Sequence, residues 1–593
     1  MNNRFQAHTF HIPVMGLGYT IDSPVKVAQY GIPSVISLAD DILMEKMREF
    51  YSLKLDLPFQ AISEKIDDFR AKRITAYLNL IDKIVKEKFE ELKNSIHKKG
   101  SEFEKYMEML PDASSIKLKF NQLKEQTNVK DLIAWIQQNL HVGSIDVNIM
   151  TKLDRENYKD GEKLPPEYND AHAALRGFAE SKLSSSIVFS AGMSPRLYSY
   201  VEKFKDFYPD ETGVIKKKII LKVSDYRSAL VQGKMFAKKG LWVSEYRVES
   251  GLNCGGHAFA TQGYLLGPIL EEFKNSRETM IQSLFEIYSH ALKEQNRACP
   301  ENAPGFRITA QGGVGTADEH SFLLDYYGLD SIGWGSPFLL VPEASNVDKE
   351  TIKLLCEGTE DDYYLSGISP LGVPFNSIRG NSKDIEKMEN VRIGSPGFVC
   401  TKRKLVYNTE FTERPICTAS KPYQKLKIKQ LQDKQLPEAE YQKEFDKIVE
   451  KACLCVGLAT TALMVNNIDL KNHGGGVTIC PGPNLAYFDQ TYSLKQMVDH
   501  IYGRTNLINH KNRPHMFVKE LQMYVEYLKN KLDETIKPIA DKQMEYFRLF
   551  HKNLNEGIIY YRSLFSNFKP ESKVFIDLER LEKQLNDIEL TQA

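Results

Sequence analysis

Two glycine-rich turns stand close together in the middle of the chain, and their composition suits a phosphate group. The first closes Phe306-Arg-Ile-Thr-Ala-Gln-Gly-Gly-Val-Gly-Thr316 and the second Asp330-Ser-Ile-Gly-Trp-Gly-Ser-Pro-Phe338, with a helix-length gap between them. Each reads as a strand ending in a turn. Glycine at 312, 313 and 335 lets the backbone approach an anion, and the N–H groups opening a following helix bind it while the helix dipole favours its charge. Upstream, Val248-Glu-Ser-Gly-Leu-Asn-Cys-Gly-Gly-His257 delivers a histidine directly after Gly255 and Gly256. An imidazole titrates near neutral pH and serves as acid or base, and flanking glycines admit a flat ligand. The plainer reading is a loop histidine bonded to a neighbouring carbonyl. A third group is Cys400, Cys417, Cys453 and Cys455, with Cys480 as a fifth candidate. Four thiolates can hold an iron–sulfur cluster or a zinc ion. Cys453-Leu-Cys455 is not the usual CxxC, and buried free thiols are the alternative.

Positioning these groups takes strands that alternate with helices. His11–Gly18 and Ile32–Ser37 read as the first two strands, around a short helix from Ser23 to Gln29. Ser144–Ile149, Ser186–Ser190, Lys218–Val223, Leu241–Val248, Arg307–Ala310 and Ser331–Gly333 follow, giving eight. Mostly apolar strands separated by helices call for a parallel sheet covered by helices. Eight such units fit a closed (β/α)8 TIM barrel, an α/β fold whose loops after the last two strands usually seat a phosphate.

The rest of the chain surrounds that barrel. With 593 residues it exceeds one ordinary domain. The expected organisation is a barrel over residues 1–395 carrying helical insertions at about 43–140 and 266–304, a cysteine-bearing cap over 396–500, and a helical extension over 501–593. The cap is expected to be irregular up to Leu431. Tyr524, Val525, Tyr527 and Leu528, then Tyr546, Phe547, Leu549 and Phe550, recur at helical spacing, which marks core or subunit interface more often than a cofactor box. The helical additions offer surfaces for a homo-oligomer or a protein partner.

Composition narrows the functional classes. Lys plus Arg equals Asp plus Glu at 78 each, which argues against nucleic-acid binding. No segment approaches the roughly twenty apolar residues of a membrane span, and the first residues lack a signal-peptide core. A cytoplasmic protein without membrane contact is expected. Eight cysteines in so long a chain do not suggest a disulfide framework.

Gly255-Gly-His257, Gln311-Gly-Gly-Val-Gly315, Gly335-Ser-Pro-Phe-Leu-Leu-Val-Pro-Glu-Ala344 and Ile368-Ser-Pro-Leu-Gly-Val-Pro-Phe-Asn-Ser-Ile-Arg379 occur in the order of the motifs of the nitronate monooxygenase family of flavin-dependent barrels, which they resemble. Relatives of that family include flavin-containing enoyl reductases. The resemblance implies an FMN across the barrel mouth, its phosphate held at Gly312, Gly313, Gly335 and Ser336, with Gln311, Gly255 and Gly256 beside it and Met15 and Gly16 near the isoalloxazine. It implies His257 as the acid/base over the substrate. The implied activity is an oxidoreductase, nitronate monooxygenase-like, acting on a small organic or acyl substrate. An NAD(P)H-dependent enoyl reductase of fatty acid or polyketide synthesis is the alternative. Asn253 and Cys254 depart from the pattern, standing where the family usually has an acidic residue and alanine.

Two other readings stay open on the residues alone. The same turns hold a sugar phosphate as readily as an FMN phosphate, which suits a lyase or isomerase. The helical additions also suit an assembly or electron-transfer subunit without its own turnover.

Overall fold

The structure, a computed structural model, describes residues 7–590 apart from 97, 127–128, 191, 254–261, 472–473, 510–511, 536–538, 567–571 and 589. Its centre is one parallel sheet of eight strands: β1 (Phe10–His11), β2 (Ser34–Ser37), β3 (Ile145–Met150), β4 (Ser186–Ser190), β5 (Lys218–Val223), β6 (Val243–Glu249), β7 (Arg307–Gln311) and β8 (Ser331–Gly333). The strands lie in the order β1-β8-β7-β6-β5-β4-β3-β2. A bridge between Ile12 and Ser34, with the Ile12 N–H donating to the Pro33 carbonyl at 2.9 Å, brings the two ends together. The fold is therefore a (β/α)8 barrel with helical additions. All eight expected strands are present. The first is shorter than its apolar run implies, because Pro13 has no N–H for the ladder and Gly16, at φ +54°, turns the chain away.

Strand register sorts side chains into inner and outer sets. Residues paired across neighbouring strands point the same way, so Val35–Asp146, Ser37–Asn148, Asn148–Val188, Val188–Ile220, Lys222–Arg247, Arg247–Thr309 and Glu249–Gln311 define one face. Val14, Val35, Val188 and Ile220 pack together as a small cluster on that face, which identifies it as the lumen. Tyr246, between Glu245 and Arg247, is buried against Phe306 on the outer side. The lumen also holds charge. Arg247 donates to Glu245 Oε1 through Nε at 2.8 Å and Nη2 at 2.6 Å, and Thr309 adds its hydroxyl at 2.7 Å. These bonds make a charged layer tolerable in a dry interior.

The β2–β3 connection carries helices Asp41–Lys54, Phe69–Asn94, Glu102–Met109, Ser115–Gln126 and Val129–Asn139, and the β6–β7 connection carries Leu266–Glu294. After the barrel, β9 (Tyr363–Ser366) and β10 (Phe375–Ile378) form an antiparallel pair. The following stretch is more ordered than expected. It contains helices Ser382–Arg392 and Lys421–Gln432, the latter started by Ser420, whose side chain caps the Tyr423 N–H, with a proline in the first turn. Three helices, Met516–Glu534, Asp541–Leu564 and Lys573–Asn586, end the chain. Tyr524, Val525, Leu528, Phe547 and Phe550 are buried, so the aromatic stripe is core. Among the described residues no single helix is long and apolar enough to cross a membrane.

Two devices fasten the later segments over the barrel mouth. Helix Leu454–Val465 is apolar around its whole circumference and nearly all buried. It lies against the turn after β1, where the Gly18 N–H donates to the Leu458 carbonyl at 2.8 Å and a Cβ on Gly18 would sit 3.0 Å from Ala459 O. The second device is electrostatic. Buried Lys402 pairs with Asp40, and buried Lys404 reaches Asp41 at 2.8 Å and Asp170 at 3.5 Å. Arg70, Arg73 and Arg155 close the network on the same carboxylates. Burial alone would raise the Asp41 pKa, but Lys404, Arg70 and Arg73 hold it far below the usual carboxylate range.

Asp41→Asn removes one pole of this network and leaves three cations facing a neutral amide. We expect it to lower stability by about 3–5 kcal/mol, seen as an earlier urea midpoint. Lys353→Met, which breaks an exposed pair with Glu357 at 4.0 Å, should change the midpoint by less than about 0.5 kcal/mol.

Candidate active site at the barrel mouth

The C-terminal ends of β2 to β6 supply the last inward residue of each strand to a single cavity. Ser37, Asn148, Met150, Ser190, Lys222 and Glu249 line it from below. Gly16, Leu17 and Ala39 come from the turns after β1 and β2, and Asn253 from the exit of β6. Phe375, Leu405, Leu454, Cys455 and Leu458 cover it. A polar floor thus faces an apolar roof at the end of the barrel where enzymes of this architecture keep their chemistry.

Charge on the floor centres on Glu249. Its Oε1 accepts from Lys222 Nζ at 2.9 Å, Asn253 Nδ2 at 2.6 Å and Gln311 Nε2 at 2.7 Å. The ammonium of Lys222 therefore stays within reach of any group that enters. Next to it, Asn148 Oδ1 is buried and has no hydrogen-bond partner among the described residues. A buried acceptor without a donor is costly, and a ligand N–H or O–H would relieve it.

The expected phosphate seat is arranged differently. Gly312 and Gly313 have φ of +109° and +83°, so the turn does require glycine. Added Cβ atoms would lie 2.8 Å from Asn253 N and 2.7 Å from Leu252 Cδ1, which means that Leu252 and Asn253 already lie over the turn. Protein groups take up the polar positions around it. Arg513 Nη2 donates to Gly313 O at 2.8 Å, Asn484 Nδ2 to Val314 O at 2.7 Å, and the Gly482 N–H to Ser336 Oγ at 2.8 Å. The Gly315 N–H donates to Glu319 at 2.9 Å. Burial would raise the Glu319 pKa, yet Arg513 at 2.7 Å keeps it below the usual value, so this carboxylate is the anion present there. Leu252 and Asn253 thus lie against the Gly312–Gly313 turn, and Arg513, Asn484 and Glu319 bond its carbonyls and the Gly315 N–H.

The residues at the mouth fit the ring end of an FMN: the Asn148 acceptor and the Lys222 cation suit the polar edge of a flat heterocycle under an apolar cover. The open space is about 100 Å³, below the roughly 300–1,000 Å³ of small-molecule sites. A larger cleft of about 1030 Å³ is lined by Asp67, Arg155, Lys159 and Arg414, of which Lys159 pairs with Asp67 at 2.9 Å.

Of the other expected residues, Gly16 lines the cavity and Met15 is buried beside it. Gln311 holds Glu249. Gly255, Gly256 and His257 lie outside the described residues, as does Cys254; Asn253, which precedes them, is at the cavity wall. Cys417, Cys453, Cys455 and Cys480 share one buried apolar cluster with Cys400 packed against it. Among the described residues no three His, Cys, Asp or Glu groups converge to hold a metal ion, so the expected four-thiolate site is not formed. Lys222, Glu249, Asn148 and Lys404 were missed. A polar residue at the last inward position of a barrel strand is the signal that would have found Lys222 and Glu249; Asn148 lies one inward step deeper than Met150, and Lys404 comes from outside the barrel strands.

Both ends of the connection after β6 are tied to the C-terminal helices. Ser250 Oγ donates to Glu520 Oε1 at 2.7 Å and the Leu266 N–H to Oε2 at 2.8 Å. Asn553 Nδ2 donates to Gln262 O at 2.7 Å. Burial pushes the Glu520 carboxyl up to about 7, and the bonds from Leu266 and Ser250 offset only part of the shift.

No family model matches the chain, and no curated protein sequence does. Among solved structures it is similar to FabK from Thermotoga maritima, at 14% identity over 68% of this chain and 83% of that one, with a TM-score of 0.29. It is also similar to the enoyl reductase domain of MlnA from the macrolactin biosynthesis cluster of Bacillus amyloliquefaciens, at 15% identity over 71% and 89%, with a TM-score of 0.33. The barrel assignment rests on strand order and closure, independent of these likenesses.

The shift of Glu520 sets a pH dependence. Its folded pKa lies above the unfolded one, so its contribution is full below about 4.5 and is lost as pH rises through about 7. Between pH 6 and pH 8 the wild-type protein should lose about 1 kcal/mol from this group. Urea unfolding of Glu520→Gln at the two pH values should lack that loss.

Proposed function

We propose that this chain is a flavin-dependent oxidoreductase of the barrel class, acting on an acyl or other small organic substrate at the β2–β6 mouth. The observation that carries the reading is the polar floor of Asn148, Lys222 and Glu249 beneath the roof of Phe375, Leu405, Leu454 and Leu458. The resemblance of the four ordered motifs to flavin-binding barrels supports the cofactor class. Loading the cofactor would require Leu252 and Asn253 to leave the Gly312–Gly313 turn.

The protein's own part is binding, orientation and charge. The roof suits hydrocarbon and excludes water, which strengthens the electrostatic effect of Lys222. Lys222 stabilises negative charge on a substrate oxygen, while Glu249, Asn253 and Gln311 fix where that ammonium points. Asn148 Oδ1 selects a ligand edge that carries a hydrogen-bond donor. His257, adjoining the cavity wall in sequence, serves as acid/base. Electron transfer itself belongs to the cofactor class. NAD(P)H is the proposed donor for an enoyl substrate, and a nitronate is the competing substrate for the same residues.

Incubation of the purified protein with FMN, followed by gel filtration, should give a yellow species in stoichiometric amount; a colourless protein after reconstitution counts against the reading. With NAD(P)H and an enoyl thioester, or with a nitronate, Lys222→Met should lower kcat by about 10²–10³-fold. His257→Ala should lower it by about 10²–10⁴-fold with the flavin retained.

A further inference from the structure

The larger cleft has a volume of about 1030 Å³, at the upper end of the roughly 300–1,000 Å³ of small-molecule sites. Three additions to the barrel build it: the stretch before helix Phe69–Asn94 in the β2–β3 connection, the connection that follows β3, and the cap segment from Arg403 to Pro415. One strip of chain serves both hollows. Lys404 and Leu405 line the mouth, whereas Arg403, Val406 and Tyr407 line the cleft.

The charges of the cleft do not cancel. Its carboxylates are all engaged: Glu64, Asp67 and Asp68 pair with Arg73, Lys159 and Arg176, and Glu156 pairs with Lys163. Asp154 accepts the Ala171 and His172 N–H groups that open helix Asp170–Glu180. Of the cations, Lys159 is used by Asp67, and Arg70 and Arg155 stand beside Asp170. Lys65, Arg403 and Arg414 have no carboxylate partner among the described residues. Arg155 Nε, 3.4 Å from Asp170, is buried and makes no hydrogen bond among the described residues. Unpaired cations around one cleft concentrate positive potential in it, which an anion relieves. The rings divide in the same way. Phe69 lies under the guanidinium groups of Arg70 and Arg73, Tyr168 under that of Arg176, and Tyr158 under that of Arg414 at 5.1 Å from the ring centre. Tyr407 is 40% exposed and has no ring, cation or hydrogen-bond partner among the described residues, so its face is open to a flat group.

We propose that this cleft is a binding site for a nucleoside phosphate, its phosphate held by Lys65, Arg403 and Arg414 and its base stacked on Tyr407. Arginine suits the phosphate because its planar fork meets two oxygens at once and keeps its charge at any working pH. Inorganic phosphate engages the cations alone, and a free nucleoside engages the ring alone. Only a ligand that carries both groups uses the whole cleft.

Arg403 and Tyr407 flank Lys404 and Leu405, so the ligand braces the strip whose other residues close the mouth. The proposal does not depend on the flavin reading, since none of the residues given to the nucleotide lines the mouth cavity.

The test is calorimetric titration of the full-length protein with ADP, GDP, CDP and UDP in turn, at about 0.15 M salt so that loose surface attraction is screened. At least one should bind saturably at one equivalent, about tenfold more tightly than pyrophosphate or the matching nucleoside. Arg403 stands at φ +55°, a conformation that asparagine adopts readily, so Arg403→Asn combined with Arg414→Gln removes the charges without straining the turn. That double variant, with its circular dichroism and urea midpoint unchanged, should weaken nucleotide and pyrophosphate alike by about tenfold or more. Tyr407→Leu should weaken the nucleotide about tenfold and leave pyrophosphate as it was. Failure of all four nucleotides to saturate overturns the proposal, as does nucleotide binding that survives the double arginine change. Equal affinity for pyrophosphate and the best nucleotide overturns it too, because the base would then contribute nothing.

Discussion

The buried carboxylates at the end of β2 decide how this molecule is put together. Asp40 and Asp41 follow the strand directly, and two lysines from a segment more than three hundred residues later, Lys402 and Lys404, come to them. Taking such charges out of water costs several kcal/mol each and is offset only when every partner is in place. The network consequently fixes position more than it adds stability. It sets Leu405 over the lumen, aligns helix Asp41–Lys54 through the Asp40 cap on Leu43, and draws in Asp170 from the helix after β3. The mouth cavity exists because these elements cannot slide.

Chemistry and architecture meet along the inner face of β6. Alternation places Glu245, Arg247 and Glu249 in the lumen, while Tyr246 and Val248 pack outward. Glu245 and Arg247 pair in the dry middle of the barrel, with Arg247 Nη1 left without a partner among the described residues, whereas Glu249, one step nearer the rim, is bonded by Lys222 from β5 and Gln311 from β7. One strand thereby carries one ion pair in the barrel's interior and another at its rim, separated by a single residue period.

Much of the fold was legible in the sequence because barrel strands are short, mostly apolar runs separated by helical spacing, and Ser186–Ser190, Lys218–Val223 and Ser331–Gly333 match their expected bounds. The cap was less legible. Helix Leu454–Val465 has no amphipathic stripe, since it is buried on all sides, and β9 and β10 pair across a proline-containing turn. For the site, glycine at 312 and 313 was read as room for an anion. Positive φ and close approach are real there, but what approaches is Leu252 and Asn253. A glycine records that something must come near, not which group does. The cysteines read as metal ligands fall in and around one buried apolar cluster, but among the described residues no three such groups converge on a metal, which spacing alone could not decide.

The roof has a consequence for biosynthesis. Tyr19 bonds through its hydroxyl to the carbonyl of Thr478 at 2.6 Å, across 459 positions of sequence. At roughly 5–20 residues per second, the ribosome delivers the second partner about half a minute to a minute and a half after the first. During that interval the opening βα unit has emerged without the helix that covers it, and its apolar turn and unpaired edge are open to other chains. The delay between Tyr19 and Thr478 is thus a period of exposed apolar surface that follows from the order in which the chain supplies its own cover.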